Sequence, residues 1–182
     1  MQNYRYDLPM MIMILEEEEL LDEFVRDAFT FDILCSQNFE ITDILFNPLK
    51  SIGEKLEWVD EMLIIYFSDA YLSFLRQLIK NEDFIYYERL RAKFLATLSR
   101  MRNCLYAKVT TVIPMTEEQS KRVAAKLREL FGKQVFVYNK VSRYFSGGLL
   151  IECDNTMIDL GVRTSLYQIK QALGASRGKS EV

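Results

Sequence analysis

Gly53 is the only glycine before Gly132, and the other six of the chain's seven lie from there onward. Glycine weakens helix interiors and serves tight turns, so this distribution favours helices early and turns late. The apolar spacing changes too. Leu20, Leu21, Phe24, Val25 and Ala28 keep helical spacing, as do Leu56, Val59, Leu63 and Tyr66, and then Tyr71, Phe74, Leu75, Leu78 and Ile79. Tyr87, Leu90, Phe94, Leu98 and Met101 alternate steps of three and four. From Ala107 the period becomes two, with Ala107, Val109, Thr111 and Ile113 alternating with Lys108, Thr110 and Val112. The sequence therefore predicts two domains, 1–106 and 107–182, of an α+β protein.

Short antiparallel helices packed as a bundle suit the faces of the first domain. Pro9 and Pro48 mark helix boundaries, and Ser51-Ile52-Gly53-Glu54 reads as a capping box. In the second domain Pro114 ends the first strand. Thr116-Glu117-Glu118-Gln119 starts a helix with Thr116 as N-cap, Val123, Leu127 and Leu130 facing inward, and Gly132 as its stop. Gln134–Asn139 reads as a strand. Gly147-Gly148 leads into another, Asp154-Asn155 turns the chain, and a further strand ends at Asp159. A last helix presents Val162, Leu166, Ile169 and Leu173. The order β-α-β-β-β-α describes a small α/β domain.

Charge divides along the same line. Residues 1–106 carry 11 Lys+Arg against 19 Asp+Glu, and residues 107–182 carry 12 against 7, giving net charges of −8 and +5. Cys35, Cys104 and Cys153 are odd in number and widely spaced, which fits a reducing compartment better than a disulfide framework. There is no histidine, and no cysteine pair has metal-ligand spacing, so the usual zinc sites and His-activated nucleophiles are excluded. No metal or cofactor is expected. Met10–Leu15 and Met62–Phe67 are far shorter than the roughly 20 residues of a membrane helix. Asp7 and Glu16-Glu17-Glu18-Glu19 flank the former, unlike a signal peptide. A bacterial, cytosolic setting is expected.

Each chemically suggestive cluster has a structural reading. Gly147-Gly148 lacks P-loop spacing and leads into a strand, so a tight backbone approach fits better than a phosphate cradle. Asp159 with Glu152 is an acid pair in sequence, but Glu152 belongs to an alternating strand and Asp159 is placed to cap the following helix. Glu16–Glu19 spread around a helix and cannot converge on a metal. Lys121, Arg122, Lys126 and Arg128 suit an acidic protein partner or water more than nucleic acid, since surface aromatics are not interleaved with them. Met10, Met11 and Met13 read as core; an adaptable groove for a partner helix is the alternative. No constellation offers a catalytic residue.

The segment from Val109 to Leu173 resembles the C-terminal region of the delta subunit of bacterial F-type ATP synthase, the counterpart of the mitochondrial oligomycin sensitivity-conferring protein. The resemblance runs through Val109-Thr110-Thr111-Val112-Ile113-Pro114-Met115-Thr116 and Gln119. It continues through Gly147-Gly148 and its strand, Met157-Ile158-Asp159, Val162-Arg163 and Leu166. In the first domain Leu45 with Pro48, Glu54-Lys55, Phe74-Leu75 with Leu78 and Asn81, and Phe94 fall where the family places similar residues. The family's tyrosine- and alanine-rich opening helix is not recognisable in Met1–Leu15. Ser142 stands where an acid is usual, and Leu160 where glycine is.

This resemblance implies a non-catalytic stator. A six-helix N-terminal domain would grip N-terminal helices of the alpha subunits, and the C-terminal domain would join the b subunits of the peripheral stalk. Head rotation is thereby prevented, so that proton-driven rotation is coupled to ATP synthesis. The location implied is the cytoplasmic face of the bacterial plasma membrane, bound peripherally without insertion. Phe74, Leu75 and Leu78 are expected to line the alpha-subunit groove, and Lys121 and Arg122 to meet the stalk. Thr116, Gly147, Gly148, Asp159 and Arg163 are expected to shape the C-terminal motif. The rival from another class is a nucleic-acid-associated adaptor carrying a basic α/β module.

Overall fold

In a computed structural model of the chain, residues 6–153 and 156–161 are described. The chain forms two compact units, Met1–Arg102 and Asn103–Val182. The described part of the first contains α1 (Leu8–Glu17), α2 (Leu21–Gln37), α3 (Phe39–Leu45), α4 (Ile52–Met62), α5 (Asp69–Lys80) and α6 (Tyr87–Arg102), with a 3-10 turn at Phe84–Tyr86. Local chemistry sets several of these starts. Asp7 accepts from the Met10 amide with Pro9 in the first turn of α1, and Ser51 and Glu54 form the reciprocal capping box of α4. Ser68 caps α5, while its own N–H and Oγ donate to Asp27 Oδ2 at 2.8 and 2.6 Å. That buried carboxylate joins α2 to the start of α5.

An aromatic cluster runs through the largely aliphatic core of this unit. Phe24, Phe31, Phe67, Tyr71, Phe84, Tyr87 and Phe94 meet at centroid separations of 5.1–6.3 Å, in tilted, edge-on and stacked pairs. The fully buried hydroxyls of Tyr71 and Tyr87 satisfy one another at 2.7 Å. At the end of α6, Arg102 pairs with Glu16 and Asp22, both at 3.0 Å. Some expected faces end early. Tyr66 and Met101 are exposed, the former because α4 stops at Met62 and leaves it in the turn.

The described part of the second unit contains β1 (Cys104–Thr111), α7 (Glu117–Phe131), β2 (Gln134–Val141), β3 (Gly148–Cys153) and β4 (Thr156–Gly161). Sheet order is β2-β1-β3-β4, with β1 parallel to β2 and the other pairs antiparallel. The parallel pairing needs a crossover, which α7 supplies. Leu105, Ala107, Val109, Leu127, Val135, Ile151 and Cys153 form its core. The expected boundary at 106 would cut through β1, which starts at Cys104 and is buried along almost its whole length. Ile113, expected to be part of that strand, lies beyond its end and is exposed. Residues 162–182, including Arg163 and the expected last helix, lie outside the described residues.

Candidate docking surfaces

Helix α1 has two apolar faces. Leu8, Ile12 and Leu15 are buried, whereas Met10, Met13 and Ile14 are 59%, 62% and 44% exposed. Met10 and Met13 are therefore not core, which corrects the sequence reading. Buried positions recur at steps of four and three, and the residues between them necessarily point outward. These methionines form an apolar strip on a helix that is anchored on its other side.

On α5, Leu75 and Leu78 are wholly buried among the unit's own side chains, so neither lines an open groove. An apolar helix face serves a core or a groove equally well, and here the core takes it. Phe74 is half-buried and packs edge-on to Phe24 at 5.6 Å. A separate concavity of about 520 Å³ lies between the α3–α4 loop and the end of α5. Leu45, Phe46, Ile79 and Phe84 give it apolar walls, with Lys55 and Glu82 among its charged lining residues.

The basic surface of α7 is internally compensated. Lys121 meets Glu117 at 2.5 Å, Arg122 meets Glu118 at 3.2 Å and Lys126 meets Glu129 at 2.8 Å, all exposed pairs one helical turn apart. That arrangement leaves little uncompensated positive charge on α7 itself for a polyanion. Thr116 caps α7 as expected: its Oγ1 accepts from the Gln119 amide, while Gln119 accepts from the Thr116 amide at 2.9 Å. Gly132 closes the helix in the left-handed region, at φ 67°.

Beside the start of α7 lies a pocket of about 380 Å³. Met115, Val123 and Leu149 form its floor and pack onto the unit's core. Val112, Ile113, Pro114 and Arg122 stand at its rim. Two fixed backbone segments frame it. Asn139 on β2 accepts from the Met115 amide at 2.8 Å and donates to the Val109 carbonyl and Thr111 Oγ1, each at 2.9 Å. Thr111 Oγ1 donates onward to the Ile113 carbonyl at 2.6 Å. Opposite, Gly147 and Gly148 adopt φ of 119° and 87°. A Cβ on Gly148 would overlap the Leu160 carbonyl and lie 2.8 Å from Gly161 Cα. The glycine pair thus serves a close backbone approach.

Asp159 lies in β4, which runs two residues past the expected strand end, and its Oδ1 accepts from the Gly161 amide at 2.7 Å. The helix it was expected to cap lies outside the described residues. Glu152 pairs with Lys108 across β1 and β3 at 2.9 Å. Sequence reasoning missed the pocket and the role of Asn139. The available signal was an amide side chain, Asn139, directly after the apolar and aromatic run Val135–Tyr138, where a partly buried hydrogen-bonding task is a common reason. Among the described residues no group of three or more Cys, Asp or Glu side chains is placed to hold a metal, and no helix is long and apolar enough to cross a membrane.

The family pattern of the ATP synthase delta (OSCP) subunit matches residues 11–173. The chain is 26% identical over 160 residues to the ATP synthase subunit delta of Clostridium botulinum (strain Loch Maree / Type A3), covering 88% of this chain and 89% of that one. Against the ATP synthase subunit delta of Clostridium perfringens (strain 13 / Type A), identity is 27% over 161 residues, with the same coverage. Its fold is similar to a chain in the cryo-EM structure of the Toxoplasma gondii mitochondrial ATP synthase hexamer. There the TM-score is 0.53 at 15% identity, over 91% of this chain and 94% of that chain. With matched residues reaching from α1 past β4, the chain belongs to the ATP synthase delta (OSCP) subunit family.

Proposed function

We propose that the chain fulfils its role in the peripheral stalk of F-type ATP synthase through two contacts, one on each unit. The helical unit holds N-terminal helices of alpha subunits, and the α/β unit holds the end of the b-subunit stalk. The chain is not an enzyme; it supplies a static link that stops the catalytic head from turning with the rotor. Its place is peripheral, on the cytoplasmic face of the bacterial plasma membrane.

The observation that carries the first contact is the exposed strip Met10, Met13 and Ile14 on α1. An amphipathic helix laid along it would cover apolar surface that water otherwise meets, and unbranched methionines adapt to such a partner. Glu17 follows on the same helix, one turn beyond Met13, and favours a partner with a basic flank. Nanomolar binding requires about −12 kcal/mol. Three anchors at roughly 1.5–3 kcal/mol each fall short of that, so the contact extends beyond α1. Half-buried Phe74 is retained as a candidate, whereas wholly buried Leu75 and Leu78 are not.

Met13→Asp in the full chain tests this. Because Met13 is 62% exposed, thermal stability should stay within about 0.5 kcal/mol of wild type. Affinity for alpha subunit should fall about tenfold or more, with affinity for b subunit unchanged. Unchanged alpha-subunit affinity removes α1 from the contact.

A further inference from the structure

We infer that the pocket beside the start of α7 is the stalk-docking site of the α/β unit, taking an apolar side chain of the partner with a carboxylate set against Arg122. This deepens the proposed function and rests on its assignment of the stalk to this unit. The sequence had placed that contact on the charged face of α7, through Lys121 and Arg122. Those charges already have partners on their own helix, at Glu117 and Glu118. Exposed pairs of this kind contribute little, so they neither hold a partner firmly nor resist exchange.

The pocket offers what the helix surface lacks. Val112 and Ile113 are 39% and 72% exposed, although both are large and apolar. They stand over a floor of Met115, Val123 and Leu149 that is continuous with the unit's core. A side chain entering there would be desolvated on several sides, as in binding hot spots. Asn139 fixes one wall through the Met115 amide, the Val109 carbonyl and Thr111. Walls fixed beforehand lower the ordering cost of association.

Charge selects the rest of the occupant. Among the described residues lining the pocket, Arg122 alone carries charge, and residues 107–182 have a net charge of +5. An acid beside the apolar anchor can take Arg122 from Glu118 at little cost, because that pair is solvent-exposed. A basic partner segment would meet Arg122 unfavourably. The occupant is therefore an acidic-flanked apolar segment.

The test uses the full chain and the purified soluble part of the b subunit, with affinity measured by calorimetry. Ile113→Asp should weaken binding about tenfold or more while the thermal melt is retained, since the side chain is already exposed. Arg122→Glu should weaken it several-fold and reduce its dependence on salt. Leu130→Asp, at a position on α7 that was expected to face inward but is 65% exposed, should bind as wild type. If wild type binds and Ile113→Asp binds equally well, the pocket is not the site and the stalk assignment stands. If Leu130→Asp loses as much as Ile113→Asp, the contact is a general apolar surface and the pocket is again overturned. If wild type does not bind b subunit, the stalk assignment and the pocket fall together.

Discussion

The Cys35 thiol on α2 is pushed up from its ordinary 9.0 to about 12, first by burial and then by the nearby negative charges of Asp32 and Glu88. A thiol held neutral in the fold ionises in the unfolded chain first. The unfolded state therefore binds fewer protons above pH 9, and stability falls as pH rises from there toward 12. Cys35→Ala should make this alkaline loss shallower, as measured by urea unfolding at neutral pH and at about pH 10. An equally steep loss would show that the thiol does not contribute. Tyr71 and Tyr87, whose hydroxyls burial also drives upward, should leave a residual alkaline slope in the variant. Single residues also mark the limit of periodicity as a guide. Leu78 and Met13 are both apolar positions on helices, yet one is wholly buried and the other 62% exposed. Only the neighbouring helices decide between them.

At the scale of elements, α7 was legible because both its ends depend on contacts within a few residues. The Thr116–Gln119 capping box and the left-handed Gly132 are written locally. Thr116→Ala should cost about 1 kcal/mol, read as a lower urea midpoint with unchanged m-value. No change would mean that tertiary packing alone holds the helix start. The capping box at Ser51 and Glu54 was legible for the same reason. Strand ends were less so. β1 is covered along both faces, so its start at Cys104 leaves no alternation to detect, and the sequence reading began it at Ala107. The bracket from Asn139 to Met115 joins residues 24 apart, which no local pattern records.

For the whole molecule, the early scarcity of glycine and the change of period anticipated a helical part followed by a sheet-containing part. Surface function was less accessible, because exposure depends on which neighbours arrive. Gly148→Val should expose the independence of the two units. Its Cβ would collide with the Leu160 carbonyl, an unyielding backbone atom, at a backbone angle that side chains rarely adopt. A cost of about 4 kcal/mol or more is expected, in the exceptional range for one substitution. Hydrogen exchange should show lost protection in β3 and β4, with the core helices of the first unit still protected. Equal loss in both units would show that they unfold as one.

The position of β1 also has a mechanical consequence. Helix α6 ends at Arg102 and β1 begins at Cys104, so the chain enters the second unit through an inner strand rather than an edge. Tension arriving along the backbone from α6 therefore falls on a strand hydrogen-bonded on both sides, to β2 and to β3. Drawing it out along its length would shear two ladders together, whereas an edge strand could peel from one. A joint that must bear torque receives its load where the sheet is hardest to unzip.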